Sequence, residues 1–583
     1  MARRDPHSYT DDTQAQTASL ELVARVDFAS KTLIAEATLR LKQPGSGAFD
    51  LDTRDLAIEA VTDDTGRPLP FTLHPADAVL GRRLEITLDR TAAVRIRYRT
   101  SPDASALQWL EPAQTAGGKL PFLFSQCQAI HARSVVPVQD TPAMRITYAA
   151  TLTVPRALRA VMAAAHLGHT EEGETAVERF EMPQPIPPYL IAFAVGDLVS
   201  KDLSPRSRVW AEPAMLGATA YEYARVEDMI GAAERLFGPY DWDRFDILNM
   251  PPSFPYGGME NPRLTFITPT TIAGDRSLTS VIAHELAHSW TGNLVTNATA
   301  EHFWLNEGFT VYAERRILEE LEGAELAALD AALGRRDLEG ALTRFASRPQ
   351  LTHLRVPLDG VDPDDAYSQV PYEKGYLFLR VLEDAVGRPA FSAWLQRYIT
   401  DFRFGAITTD DFTRHFEAAH PGVLARVGAD AWLDGPGVPA NAPAPRSEKL
   451  AAIERLGGVL PGDDVVRRWS PIEWQLFLDS VPRPASRELC TTLDERYALT
   501  RSTNFEILVA WLTLALRSGY HEVLPRVAQV LAEVGRMKFL RPLYGALVAD
   551  PKTRTLAEET FAKLRPSYHP ISRQVVESVL RSA

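Results

Sequence analysis

The chain has 583 residues, 45% hydrophobic and 23% charged, with a net charge of −13. At about 100–200 residues per domain this length exceeds one core and calls for three or four, and the ordinary composition excludes a disordered or collagen-like chain. The acidic balance, with a pI near 5.6, disfavours nucleic acid and anionic membrane as general partners.

Two cysteines, Cys127 and Cys490, stand 363 positions apart. They cannot build a disulfide framework or a cysteine-rich zinc module. The start, "MARRDPHSYTDDTQ", carries a basic pair with no apolar run behind it, so a cytoplasmic location is expected, although a processed secreted form would read the same way. No stretch reaches the roughly 20 apolar residues of a spanning helix.

The first two hundred residues alternate apolar and polar positions between turn residues. "SLELVARVDF", "KTLIAEATLRL", "RLEITL", "AVRIRYRT", "AMRITYAATLTVP" and "YLIAFAVGDLV" predict an antiparallel β domain ending near Ser200. From Lys201 the period lengthens: "YEYARVEDMIGAAERLFG" predicts one helix and "VIAHELAHSW" lies in another. Near Gly435 the texture breaks at "GPGVPANAPAPRS", whose prolines suit a linker better than a helix or strand. After it, "SEKLAAIERL", "NFEILVAWLTLALRSG", "EVLPRVAQVLAEVG" and "RTLAEETFAKL" predict amphipathic helices in a layered all-α domain with no fixed repeat.

"VIAHELAHSW" places His284 and His288 four residues apart. On a helix these positions share one face, so both imidazoles can reach one ion. A catalytic zinc takes three protein ligands and keeps a position open for water, whose pKa it lowers towards about 7. Glu285 can then take the water's proton. Two helical histidines that bind nothing would show the same spacing, so the third ligand decides. With eighteen residues between it and His288, Glu307 falls in the second helical pattern of "FWLNEGFTVYAER", with Trp304, Leu305, Phe309 and Tyr312 as its apolar wall.

"HELAHSW" followed by "NEGF" resembles the M1 zinc aminopeptidases, and "PYGGMENP" (255–262) resembles their exopeptidase motif. "QCQAIHARSVVPVQDTP", "DPDDAYSQVPYEKG" and "GRMKFLRPL" narrow the likeness to the leukotriene-A4 hydrolase-like branch, as a microbial member. The resemblance implies a multidomain α+β chain. An N-terminal antiparallel β domain (1–200) precedes a thermolysin-like α/β zinc domain (201–435). A Pro-rich linker (436–446) leads to a C-terminal all-α domain of helical layers (447–583).

Residue by residue, it implies one Zn2+ on His284, His288 and Glu307, with Glu285 as general base and Tyr372 as oxyanion donor. Glu260 would bind the substrate's free α-amine, with Gln128 opposite. A buried ammonium needs such partners, since its desolvation otherwise costs several kcal/mol. Tyr256, Gly257, Gly258 and Met259 complete that stretch, the glycines letting the peptide pair as an added strand. Tyr367 would wall the first-residue pocket and Asp364 would close its far end, favouring N-terminal arginine; a solvated loop acid is the alternative. Arg536 and Lys538 would hold the C-terminal carboxylate, favouring tripeptides, and Glu314 would orient a zinc histidine.

Two departures stand out: Ala300 where relatives often carry a bulky aromatic, and Phe309 where animal members carry histidine. The expected activity is a zinc aminopeptidase on short peptides, acting as a monomer without nucleic acid or membrane. The alternatives are added hydrolysis of a fatty-acid epoxide, which needs a long apolar tunnel, or a zinc-less scaffold on the same frame.

Overall fold

The computed structural model of the chain describes residues 5–581; the basic pair Arg3 and Arg4 lies outside the described residues. The N-terminal part is built of strands because its sequence alternates. In β1 (Thr17–Asp27) Leu20, Leu22, Ala24 and Val26 are buried while Glu21, Val23 and Arg25 face out, the period of two that a half-buried strand requires. β2 (Thr32–Thr53) pairs antiparallel with it, and β3 (Arg82–Arg99) pairs antiparallel with β2. The antiparallel expectation fails at one pair: β1 runs parallel to β4 (Ile146–Pro155). These strands are more than a hundred residues apart in sequence, so no hairpin constrains their sense. "YLIAFAVGDLV" is also not one strand, since a short 3-10 turn at Pro188–Leu190 precedes the strand Phe193–Gly196.

A further, mixed sheet begins at β5 (Val199–Ser204), which crosses residue 200 and pairs with β6 (Ser207–Ala211). The order continues through β7 (Asp246–Asn249) and β9 (Leu264–Ile267) to β8 (Gly258–Met259), which forms an edge. The long helix expected before it is two helices, Leu216–Glu222 and Val226–Phe237, broken at Tyr223–Arg225.

Two helices then carry the motif residues: α1 (Ser280–Ala287) and α2 (Trp304–Glu322). His288 caps α1 but keeps right-handed backbone angles, φ −55° and ψ −23°, so it stays on the face of His284. Trp304, Leu305, Phe309 and Tyr312 are all buried. The contact between α2 and the start of α4 (Gly375–Val386) is glycine on glycine: a Cβ at Gly308 would sit 2.8 Å from Gly375 Cα.

Residues 436–446 hold neither helix nor strand. Beyond them the C-terminal helices, including α5 (Phe505–Arg517), α6 (Met537–Ala549) and α7 (Pro570–Arg581), enclose a core of their own around Trp511, Leu512, Leu540 and Leu543. Leu329 and Ala332 of α3 (Ala324–Arg344) join that core. Two backbone bonds stitch it to the central part: the amides of Gly535 and Met537 donate to Pro252 O and Pro255 O, both at 2.8 Å. Among the described residues, no helix is long and apolar enough to cross a membrane.

Candidate metal centre and active site

α1 and α2 bring His284, His288 and Glu307 together, with a ligand atom from each within 4.8 Å of the others. The two Nε2 atoms lie 3.4 and 3.5 Å from Glu307 Oε2. Each ring is held from behind. Glu314 Oε2 is 2.9 Å from His284 Nδ1, and the Thr291 carbonyl is 3.1 Å from His288 Nδ1. Such contacts fix the tautomer that turns Nε2 inward.

Glu307 Oε2 is buried without a hydrogen-bond partner, a costly state for a carboxylate oxygen that a bound cation would relieve. Two imidazoles and a carboxylate are also the donor set zinc favours, so the residues fit a zinc ion. Without the ion their charges diverge. Burial lowers the His288 pKa to about 4. Burial opposes protonation of His284 as well, but Glu307 and Glu314 outweigh it and raise that group.

Glu285 is buried, and burial first, then Glu260, Glu307 and Glu314, push its carboxyl up against the opposing pull of His284. A metal dication held beside it would favour the charged carboxylate instead. Glu260, Glu285 and His288 also offer atoms within 4.8 Å of one another. Glu260 is 4% exposed and accepts from Gln128 Nε2 at 3.0 Å; burial and the Glu307 charge push its pKa up to about 8. An arriving ammonium would restore its charge. Met259 is buried, accepting from Gln126 Nε2 at its sulfur. Gly257 and Gly258 sit at the free edge of the sheet, and the Gly257 carbonyl pairs with Thr268 N at 2.9 Å.

Tyr372 stacks near His284, ring centres 6.0 Å apart, and its hydroxyl donates to Tyr367 at 3.4 Å. Burial, then Glu307, raises its pKa well above the usual phenol value, so it stays a proton donor. Sequence reasoning missed what holds it. Arg315, on the same helix as Glu307, makes two 2.8 Å bonds to Glu373. Lys374 is fully buried, its ammonium donating to Thr352 O and Gly435 O. The charges in "VPYEKG" were the available signal.

Asp364 is not a free loop acid: its Oδ2 lies 2.9 Å from His131 Nε2, and His131 Nδ1 contacts Ser105 at 2.8 Å. One cavity is lined by Gln128, Tyr256, Tyr367 and Asp364 together with Leu354 and Leu358. Ala300 lines it, so the small residue widens the space. The other departure, Phe309, is buried on the far side of α2, stacked on Tyr398 with centres 4.9 Å apart.

Arg536 reaches the site from the C-terminal part; a Cβ on Gly257 would sit 2.8 Å from its Nη2. Neither basic residue is bare, because Glu506 lies 3.1 Å from Arg536 Nη1 and 2.8 Å from Lys538 Nζ. Sequence reasoning had no signal for Glu506, which sits thirty residues upstream.

Comparisons with known proteins agree with this geometry. The profile of the peptidase M1 N-terminal domain matches residues 18–190, that of the peptidase family M1 domain matches 221–432, and that of the leukotriene A4 hydrolase C-terminal domain matches 469–580. The chain is 41% identical to leukotriene A-4 hydrolase of Xenopus laevis, over 98% of each chain. It is 38% identical to leucine aminopeptidase 2 of Yarrowia lipolytica, over 99% of this chain and 94% of the other. A solved structure of yeast LTA4 hydrolase in complex with bestatin aligns with a TM-score of 0.90 at 33% identity, covering 99% and 97% of the two chains. The chain therefore belongs to peptidase family M1, as a zinc aminopeptidase of the branch that carries the leukotriene A4 hydrolase C-terminal domain.

Proposed function

We propose that this enzyme removes the first residue from short peptides, tripeptides above all. The observation that carries the reading is the position of Glu260, buried and paired with Gln128, within 4.8 Å of Glu285 and His288. An amine held there leaves room for one residue before the scissile carbonyl, so only the first peptide bond reaches the centre.

Zinc held by His284, His288 and Glu307 would supply a Lewis acid for that carbonyl and make water acidic near neutral pH. Glu285 takes the proton of the attacking water and returns it to the leaving nitrogen. Tyr372 donates to the oxygen on which charge develops, a contact whose loss typically costs about 10²–10³ in rate. Gly257 and Gly258 pair with the peptide backbone along the sheet edge, with Tyr256, Met259 and Tyr367 shaping the wall. Arg536 and Lys538 hold the C-terminal carboxylate, and Glu506 leaves that pair with one net positive charge, suited to a single carboxylate. Asp364 closes the pocket of the first side chain and favours arginine there.

The cavity beside Asp364 is also lined by apolar Leu354 and Leu358. That apolar lining favours a second reading, in which the same centre opens an epoxide on a fatty chain. The two unpaired, buried thiols suit a reducing, cytoplasmic compartment, and the net charge of −13 disfavours nucleic acid and anionic membrane as partners. The test is a set of tripeptides, each as free acid and as C-terminal amide, varied at the first residue. The reading predicts lower KM for the acids and for leading arginine; equal KM for acid and amide would remove the Arg536 and Lys538 role.

A further inference from the structure

A second groove lies on the other side of the wall made by Tyr256, Asp364 and Tyr367, which line both it and the cavity described above. Its remaining walls come from the end of α3 and the loop after it, from α6 and from α7. Three arginines converge on it: Arg344, Arg348 and Arg541. Arg344 and Arg348 flank one ring, their guanidinium carbons 4.3 and 5.8 Å from the centre of Phe345. Arg344 also donates to the Tyr367 carbonyl. Arg541 follows Met537 by one turn of α6, and Met537 lines the groove too.

Among the described residues, none of the three forms an ion pair within 4.0 Å, while Arg536, five positions before Arg541, is paired with Glu506. The two acids in the groove do not neutralise it. Asp364 is engaged by His131, and Asp365, exposed and without an ion pair within 4.0 Å among the described residues, favours the charged Arg344 only in part. Arg344 and Arg348 are exposed and Arg541 half-buried; partial desolvation, then the charges of Arg541 and Arg348, lower the pKa of Arg344. Three guanidinium groups facing one unpaired carboxylate, Asp365, in a protein of net charge −13 form a local basic island, and their planar donor forks match carboxylates.

We propose that Arg344, Arg348 and Arg541 form a second anion subsite, which accepts an acidic side chain on the leaving-group portion of the peptide. This rests on the peptide path read above, from Glu260 towards Arg536. The groove meets that path at Tyr256, Tyr367 and Met537. The subsite would make the enzyme favour peptides carrying Asp or Glu after the scissile bond, whatever their first residue.

The test compares Ala-Ala-Glu-amide with Ala-Ala-Gln-amide, so that no terminal carboxylate contributes. At low ionic strength the wild type should show a KM about three- to tenfold lower for the glutamate peptide, an advantage that shrinks in about 0.5 M salt. Arg344→Gln with Arg348→Gln should bring the KM ratio towards one. Arg348→Gln alone should bring part of that loss without touching the bond from Arg344 to Tyr367. A wild-type ratio near one, or a ratio that survives in the double variant, overturns the proposal. Arg536→Gln separates the two readings: it should erase the advantage of free acids over amides and leave the glutamate-to-glutamine ratio in place. If wild type treats acid and amide alike, the path reading fails, while the ratio still reports on the three arginines.

Discussion

Gly308→Ala probes how closely the proposed metal ligand Glu307 and the proposed oxyanion donor Tyr372 depend on one helix contact. Gly308 follows Glu307 on α2, and Gly375 lies three residues after Tyr372. A Cβ at Gly308 would lie 2.8 Å from Gly375 Cα and 3.0 Å from both Gly375 C and Pro371 O. Ordinary contacts between such atoms need about 3.5–4.0 Å, so the helices must part by roughly 0.7–1 Å. The opposing atoms are backbone, so no side chain can turn aside. Overpacking of this kind costs about 1–3 kcal/mol of stability. A misplacement near 1 Å between reacting groups costs about 10² in rate. The assay is kcat/KM on a tripeptide, with zinc content and thermal unfolding measured on the same preparation. A fall of roughly 30- to 100-fold with a lowered Tm is expected. Activity within about threefold of wild type would refute the claim that this contact sets the distance between Glu307 and Tyr372.

Glu285→Gln should keep zinc, because none of its ligands is touched, and lose peptide cleavage; full turnover in that variant would end the general-base role. Glu260→Ala removes the charged partner of a buried ammonium, worth about 2–5 kcal/mol, so kcat/KM should fall by roughly 30- to 4,000-fold; a change under about threefold would contradict the anchor. His569 gives a pH prediction. It is fully buried, stacked on Phe124, and burial lowers its pKa to about 3. The unfolded chain therefore binds a proton below the ordinary value of 6.5 that the folded chain refuses. Stability is complete above that value and falls as pH drops from 6.5 towards 3, by up to about 1.4 kcal/mol per pH unit. His569→Phe loses the acceptor for Ile571 N and should be less stable at pH 7, yet the gap to wild type should narrow by pH 4–5. A constant gap in denaturant titrations would show that His569 does not titrate this way.

What was legible in the sequence followed local periods. The spacing of His284 and His288 and the acid at Glu307 encode one helix face meeting a second helix, and these residues do converge within 4.8 Å. β1 carries its burial in its alternation. What was not legible depends on residues far apart. The parallel pairing of β1 with β4 is set by tertiary placement, with no turn to announce it. The break at Tyr223–Arg225 interrupts a helical period that reads as continuous. His131 meets Asp364 across 233 positions, and Arg344 and Arg541 share a groove only because α3 packs into the C-terminal core. A charged residue's partner decides its role, and such partners leave no mark in local sequence.

The central claim is that a buried acid beside the metal ligands reads the free amine and so makes the enzyme an exopeptidase. Incubating one tripeptide and its N-acetylated twin with the zinc-loaded enzyme, and identifying the products by mass spectrometry, tests it most directly. The account predicts release of the first residue alone from the free peptide and no cleavage of the acetylated one. Cleavage of both at similar rates, or a first cut at the second bond, would contradict it.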